Sequence, residues 1–321
     1  MSLNIKMRGG RQLSPFLINI PYKAMLKPSV SFVILNFNTA QLVLKCVESI
    51  RRYVADTTFE IIVVDNGSDP ADRDAVLAHQ DEFQVVVSRQ NLGFGGGNML
   101  GANVANGDYL CFLNSDVELT SDCVTPLIGY LRDHKDVGCI TPQQYNSQGQ
   151  LVSSFNHDLG LLPEIVNRKI LERLFPVRFP SRRRLHDAPF TAHHINGCFL
   201  LMPAPLFWQC GGFDMNIFLY SEEYDLSMRL LKLGYHCTVH PNYGFVHHQG
   251  KSTENARSLT RREGFISDLY AFRKYHNAFH SFLYRLVMII KLLPKVKRWY
   301  IYPVLLSGSP LSLSMRHKKY V

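Results

Sequence analysis

The residues best equipped for chemistry stand where apolar runs stop. In "DYLCFLNSDVEL" (108–119) the run Tyr109–Leu113 ends at Asn114-Ser115-Asp116. A short, mostly apolar run suits a strand covered on both faces, so Asp116 falls at a strand's carboxyl end. Hard cations take oxygen ligands, and Mg²⁺ or Mn²⁺ often bridges a protein carboxylate to a substrate diphosphate. Asp116 is therefore a candidate metal ligand, with Asn114 and Ser115 beside it to orient the ligand or a sugar. The plainer alternative is a helix cap or a solvated carboxylate. Asp65 closes "EIIVVD" (60–65) just before Asn66-Gly67-Ser68-Asp69. That tetrapeptide is ordinary turn chemistry, while Asp65 is placed to accept a hydrogen bond from a base or ribose.

Three acids in four positions, Glu222, Glu223 and Asp225, follow the apolar stretch "NIFLY". Acids in a first helical turn favour the macrodipole, but three exceed what a cap needs. A partly shielded carboxylate there can serve as a general base, its pKa set by its neighbours. His247-His248, with Gly250 and Ser252 after them, add candidate metal or phosphate ligands, although a histidine pair is more often structural. The glycines of 93–97 allow close backbone approach to a ligand or simply pack a tight turn. They lack the Lys-Ser/Thr of a Walker A loop and follow the third strand, not the first as in a dinucleotide fingerprint.

The elements that must position these groups alternate. Strands are expected at 30–36, 60–65, 84–88 and 109–113. A helix over 39–53 places Leu42, Cys46, Val47 and Ile50 on one face, with Thr39 as N-cap. A second helix starts near 70, and a third follows the glycine turn and runs to about Asn106. Strand–helix alternation implies a parallel sheet with right-handed crossovers, an α/β layer. In such sheets ligands bind beyond the carboxyl ends of the strands. All four polar clusters lie there: "NFNT", "DNGSD", "RQNLGFGGGN" and "NSD". After residue 150 the pattern weakens. Residues 151–192 read as a long, mobile connection with some helix near the substrate, 197–203 as a strand, and a helix of about three turns starts near Glu222. Residues 236–241 and 244–250 read as two short extended segments.

The 321 residues carry a net charge of +9, but unevenly. Residues 1–28 hold five Lys/Arg and no acids, and 269–321 hold ten and no acids, leaving −6 on 29–268. An acidic centre argues against a nucleic-acid partner. Basic ends fit docking on an anionic membrane surface, or merely a soluble basic tail. The run 281–294 is too short and too charged to span a bilayer but could lie on one. Seven cysteines without a C-x-x-C pair point to buried thiols in a reducing compartment. The N-terminus lacks a signal-peptide pattern.

Five blocks in order, "VILNFNTAQLVLKCVESI", "VVDNGSD", "NLGFGGGNMLGANVANGDYLCFLNSDVEL", "GGFDMNIFLYSEEYDLSMRL" and "HHQGKS", make the chain resemble glycosyltransferase family 2 over about 29–252. Within it, the likeness is to the bacterial rhamnosyltransferase-like branch. The resemblance implies a GT-A fold, with a Rossmann-like mostly parallel sheet and flanking helices. It divides the chain into an irregular basic arm (1–28), a nucleotide-sugar half (29–120), an acceptor half (121–252) and a basic amphipathic helical tail (253–321). It implies Asp116 as the metal ligand closing a D-x-D-type motif, with Asn114 at that motif's first position. It further implies Asp65 as the nucleotide-recognition aspartate, and a donor site lined by Asn36, Asn38, Asn66, Asn91, Gly93, Asn98, Asn114 and Ser115. His247 would complete the metal site, with His248 as alternate. Glu222-Glu223 stands at the family's Glu-Asp pair, whose second member is the base. Glu223 is one methylene longer than that Asp, so Glu222 and Asp225 stand as alternates.

The implied reaction is inverting transfer, dependent on Mg²⁺ or Mn²⁺, from a dTDP-rhamnose or UDP-sugar donor to a hydroxyl of a cell-surface polysaccharide precursor. The acceptor would be a glycan or lipid-linked glycan at the inner face of the cell membrane, the enzyme being cytoplasmic or peripheral there. Two other classes share parts of the pattern. A sugar nucleotidyltransferase would carry a Gly-rich basic loop after the first strand, which "NFNTAQ" is not. A non-catalytic nucleotide-sugar-binding protein would draw support only from the departure at Glu223.

Overall fold

The computed structural model describes residues 27–248, 257–308 and 311–317. The basic arm expected over 1–28 falls almost wholly outside the described residues, as do Gly250 and Ser252. The first half alternates as its sequence pattern requires: β1 (Val30–Asn36), α1 (Ala40–Tyr53), β2 (Phe59–Asn66), α2 (Pro70–Leu77), β3 (Gln84–Ser88), α3 (Gly93–Val104) and β4 (Tyr109–Asn114). These four strands pair in parallel in the order β3-β2-β1-β4. Helices cover both faces, so the strands are apolar on both. Phe32 and Ile34 point into one core with Val63, while Val33, Ile62 and Val64 point into the other. The buried face of α1 is built on Val43, Cys46, Val47 and Ile50, with Val43 in place of the expected Leu42.

Two local expectations change. The glycines of 93–97 are not a turn ahead of a helix; they are its first turns. Helix α3 lies so close to the sheet that a methyl at Gly97 would come 2.3 Å from Leu35 Cδ1, and one at Gly101 2.4 Å from Val33 Cγ1. Their small size lets the helix seat on β1 and β2. Thr39 does precede α1, but its side chain makes no cap hydrogen bond. Asn36 Oδ1 accepts from Thr39 N, and Asp72 Oδ2 accepts from Ala40 N at 2.9 Å, so the helix is capped from the end of β1 and from α2.

The chain continues through β5 (Val117–Leu119), α4 (Val124–Asp133), β6 (Val137–Tyr145), β7 (Leu151–Val152), β8 (Phe155–Asn156), α5 (Leu161–Ile165), α6 (Arg168–Leu174), β9 (Phe190–Ala192), β10 (His194–Ile195), β11 (Phe199–Pro203), α7 (Ala204–Gln209), α8 (Glu222–Lys232) and β12 (His236–His247). Antiparallel β11 joins β4 to β6, β12 and β5 follow, and β7 and β9 pair onto β6 and β12. The connection 151–192 is anchored by buried Phe155, Leu171 and Phe179. The two segments expected at 236–241 and 244–250 are one strand, irregular between His240 and Gly244. Pro241 has no amide proton to give the ladder, and the bulge bends the strand. Past the bend, Phe245 to His247 pair with β5.

The C-terminal region is helical, as expected: α9 (Arg257–Tyr275), α10 (Ala278–Leu292), a 3₁₀ segment (Val296–Ile301) and α11 (Tyr302–Ser307). It closes a small core of its own around Ile266, Phe272, Tyr284, Ile301 and Leu305. Among the described residues no helix is long and apolar enough to cross a membrane. All seven cysteines are buried free thiols.

Candidate active site

Strand register sets out the donor-side residues. Asn36 pairs with Asp65 across β1 and β2, and Leu35 pairs with Asn114 across β1 and β4. Most of this row is bound to itself. Asn36 is fully buried, and its Nδ2 faces Asp65 Oδ1, Ser68 Oγ and Asp72 Oδ1 at 3.1, 3.1 and 2.8 Å. Asn38, at a left-handed φ of 57°, gives its N–H to Ser68 Oγ and accepts from Asp69 N. Asn66 donates to Asn91 Oδ1 and Gly93 O and accepts from Leu92 N. Asn91 Oδ1 also accepts from Gly93 N. These four asparagines hold the loops around the strand ends, which leaves them little capacity for a ligand.

Two groups are left less satisfied. Asp65 is fully buried, and among the described residues its Oδ2 has no hydrogen-bond partner. Burial pushes its carboxyl above the usual range, against the pull of hydrogen bonds from Ser68 and Asn36. Asn98 donates to Phe94 O while its buried Oδ1 is unpartnered. Gly93 has φ +78°, and a methyl there would strike Phe218 O at 2.0 Å. The neighbouring Phe94 N–H donates to that same carbonyl at 2.8 Å. The start of α3 is thereby tied to the loop that leads to the acids of α8.

Asp116 and His247 meet because β5 and β12 pair, Val117 opposite His247. Asp116 Oδ1 lies 3.0 Å from His247 Nε2, and Asn114 Nδ2 lies 3.4 Å from the same nitrogen. Ser115 is buried between them in sequence. Burial alone would lower the His247 pKa, but hydrogen bonding to Asp116 and Cys198 pushes it up to about 10. Strand alternation turns His248 to the other face, where it contacts Glu118 and Ser147. Of the two imidazoles, only that of His247 reaches the Asp116 carboxylate. Among the described residues no three His, Cys, Asp or Glu side chains converge as a complete metal cage. One carboxylate and one imidazole nevertheless fit a Mg²⁺ or Mn²⁺ whose remaining ligands are substrate phosphates and water.

The three acids of α8 separate sharply. Asp225 is fully buried and held at 2.7 Å by Arg229, Lys274 and Tyr275. It is a structural carboxylate and does not fit its candidacy as the base. Glu222 is buried with Oε1 unpartnered, and burial plus the Glu223 charge hold it well above the carboxylate range. Glu223 is half-buried, and among the described residues no cation pairs with it. Burial, reinforced by the Asp268 charge, pushes it up to about 7, while a hydrogen bond from Glu222 works the other way. Of the two, Glu222 holds its proton more tightly, which leaves Glu223 as the better candidate base. Glu223 Oε2 would lie 3.9 Å from a methyl at Gly197. Next to Gly197, the Cys198 carbonyl accepts from Asn114 N. The base candidate and the Asn114–Asp116 turn therefore share one edge of the sheet.

The loop before α8 is strained. Tyr220 and Ser221 take φ of 70° and 67° in succession, each costing about 1–3 kcal/mol for a non-glycine residue. Helix α9 holds them: Ser221 Oγ donates to Asp268 Oδ1 at 2.6 Å, and Ser267 Oγ donates to Leu219 O at 2.8 Å.

The model of glycosyl transferase family 2 matches residues 31–211. The chain belongs to that family. It is 29% identical over 133 residues to the Bacillus subtilis protein EpsH, covering 40% of this chain and 38% of that one. It is 24% identical over 212 residues to the N-acetylglucosaminyl-diphospho-decaprenol L-rhamnosyltransferase of Mycobacterium tuberculosis, covering 60% and 67%. The chain thus spans between about a third and two thirds of these relatives' lengths. Among solved structures, GalNAc-T7 with UDP, GalNAc and Mn²⁺ superposes with a TM-score of 0.59 at 14% identity, over 88% of this chain and 58% of that one. That likeness is one of fold, and the mixed sheet with its parallel half is the GT-A arrangement.

Sequence reasoning missed four residues of this candidate site. Asp268 is half-buried against Ser221, and desolvation there pushes it up to about 6. Lys274 and Tyr275 neutralise Asp225. The amide of Gln144 lies 3.0 Å from His247 Nδ1. Donating to that nitrogen, the amide would keep a ring proton on Nε2, where it faces Asp116 Oδ1. Asp268 had one faint signal, being the last acid before 53 residues that hold none. Gln144 sat in an otherwise unremarked strand and had no signal.

Proposed function

We propose that this chain is an inverting glycosyltransferase that moves a sugar from a nucleoside-diphosphate donor to a hydroxyl of a lipid-linked glycan at the inner membrane face. The observation that carries it is the convergence on one sheet edge of two complementary groups. One is the Asp116–His247 pair, suited to a hard cation. The other is Glu223, a carboxylate poised near neutrality with its proton-holding partner Glu222 beside it. Asp65, with its unpartnered buried oxygen, would take a donor hydrogen bond from the base or ribose. Asp116 and His247 would hold a Mg²⁺ or Mn²⁺, which when bound neutralises the charge of the departing diphosphate.

The reaction is a single displacement. Glu223 takes the proton of the acceptor hydroxyl as its oxygen bonds to the anomeric carbon. The bond from that carbon to the phosphate oxygen breaks, and its electron pair leaves with the nucleoside diphosphate. Attack opposite the leaving group inverts the configuration. Glu223, with a pKa near the working pH, suits that proton transfer. The lipid-linked acceptor follows the named activity of the mycobacterial relative, an L-rhamnosyltransferase, and the same likeness favours a rhamnosyl donor, dTDP-rhamnose, over a UDP-sugar as our reading.

Thermal unfolding with dTDP, UDP, GDP and CDP, each with and without Mn²⁺, tests the donor site. A ligand that binds only the native state raises the midpoint by mass action. One nucleotide should stabilise most, in a Mn²⁺-dependent way, and Asp116→Asn should abolish most of the Mn²⁺-dependent part. No shift with any nucleotide would overturn the reading.

A further inference from the structure

Exposed apolar side chains are unevenly distributed. Of the large hydrophobics exposed among the described residues, six fall in 162–177 and nine in 279–306, against six everywhere else. The two stretches are far apart in sequence but adjacent in space: α10 packs on α5, and Lys291 of α10 pairs with Glu164 of α5. On α10, Phe279, Phe282, Leu286 and Ile290, with Leu293 just past its end, recur at helical spacing and form one stripe, each at least 41% exposed. The opposite face is spent in the C-terminal core through Tyr284 and Leu292. On α5, α6 and the segment after them Ile165, Ile170, Leu174 and Val177 are exposed as well, Val177 at 94%. An apolar face this concentrated marks an interaction site.

The charge beside it is cationic. Between α5–α6 and α10 lies a cleft of about 500 Å³, whose charged lining is Arg168, Lys169, Arg182, Arg183 and Lys291 against Glu164 and Glu172. Both carboxylates are already paired, Glu164 with Arg168 and Lys291, Glu172 with Arg182. Among the described residues Lys169 and Arg183 have no ion pair. Beyond Asp268 the chain holds ten Lys/Arg and no acid.

We propose that α5, α6 and α10 together form a docking face for an anionic phospholipid membrane, with the apolar stripe entering the headgroup–acyl boundary and the cleft's cations taking headgroup phosphates. Charge selects this occupant: an apolar surface bordered by unpaired cations matches lipid that is apolar beneath and phosphate-bearing at its surface. Helix α10, 15 residues long, lies flat in such an arrangement, being too short to span the hydrocarbon core. The inference rests on the lipid-linked-acceptor reading and deepens it. Arg168 and Glu164 of the cleft act electrostatically on Asp268, the α9 residue bonded beside the acids. The face therefore adjoins the α8–α9 end of the candidate site.

Flotation of the full chain with phosphatidylglycerol-containing vesicles, and with phosphatidylcholine alone, tests the face. The expected result is flotation with the first and not the second. Lys169→Gln with Arg183→Gln should weaken partitioning by about fivefold per cation removed. Phe282→Glu with Ile290→Glu should abolish it. The nucleotide-induced thermal shift of each variant shows that it is folded, and it reads the donor site separately. Wild-type protein that ignores anionic vesicles overturns the proposal, as does equal flotation of the apolar double variant. Dimerisation in size-exclusion chromatography without vesicle binding would assign the face to a second copy and equally overturn it. Flotation as expected, with no nucleotide shift, would keep the docking face and remove the transferase reading.

Discussion

The asparagines at the strand ends of the nucleotide half and the acids at the start of α8 occupy the same edge but are treated oppositely by the fold. Asn36, Asn38, Asn66 and Asn91 are consumed by each other and by nearby backbone, with Asn36 Nδ2 facing three acceptors. Glu222 and Asp65 each bury an oxygen with no partner among the described residues, and Glu223 lacks a cation. An unsatisfied buried polar group costs about 1–3 kcal/mol. A native fold keeps such groups chiefly where a ligand or a proton completes them. Polar composition at a strand end therefore identifies the edge, while incomplete satisfaction identifies the groups available for chemistry.

The largest expected effect sits on the acids. Glu223→Gln keeps the shape and removes the proton acceptor, so transfer should fall by about 10²–10⁴-fold with the nucleotide thermal shift intact. The same variant should also melt higher than wild type at pH 8 but not at pH 4. Glu223 is raised from 4.5 to about 7, so its contribution to stability is present below 4.5 and lost as the pH rises through 7. Unchanged transfer by Glu223→Gln, measured under single-turnover conditions, would place the base elsewhere.

The asparagines should respond in the other currency. Asn36→Ala removes the amide that joins Asp65, Ser68, Asp72 and Thr39, and should lower stability by about 1–3 kcal/mol in denaturant titration, with nucleotide preference unchanged. A changed preference at intact stability would erase the contrast between the two groups. The smallest effect belongs to Asp268. Its charge raises the Glu223 pKa, so Asp268→Asn should move the acidic limb of the kcat/KM profile to lower pH. A limb that stays put would reduce Asp268 to a loop anchor through Ser221.

Much of the fold follows from local pattern. The strands β1 to β4 are short apolar runs, and residue chemistry alone places their pairing in a parallel layer. The misreadings arise where distant partners intervene. The 93–97 glycines look like a turn in isolation, but Leu35 and Val33, some sixty residues earlier, require a helix without side chains there. The break at 241–244 looks like the end of a strand, yet β6 on one side carries the ladder across it.

The candidate site divides in the same way. The sequence by itself determined which residues could act: Asp116 after an apolar run, Asp65 at the end of another, three acids together and two adjacent histidines. Tertiary structure alone decided which of them are placed to do so. Pairing of β5 with β12 chose His247 over His248, because neighbouring side chains on a strand face opposite ways. Lys274 and Tyr275, about fifty residues away, withdrew Asp225, and Asp268 from α9 raised Glu223. Proton affinity and satisfaction are set by what packs within a few ångströms, and those neighbours come from parts of the chain that no local window contains.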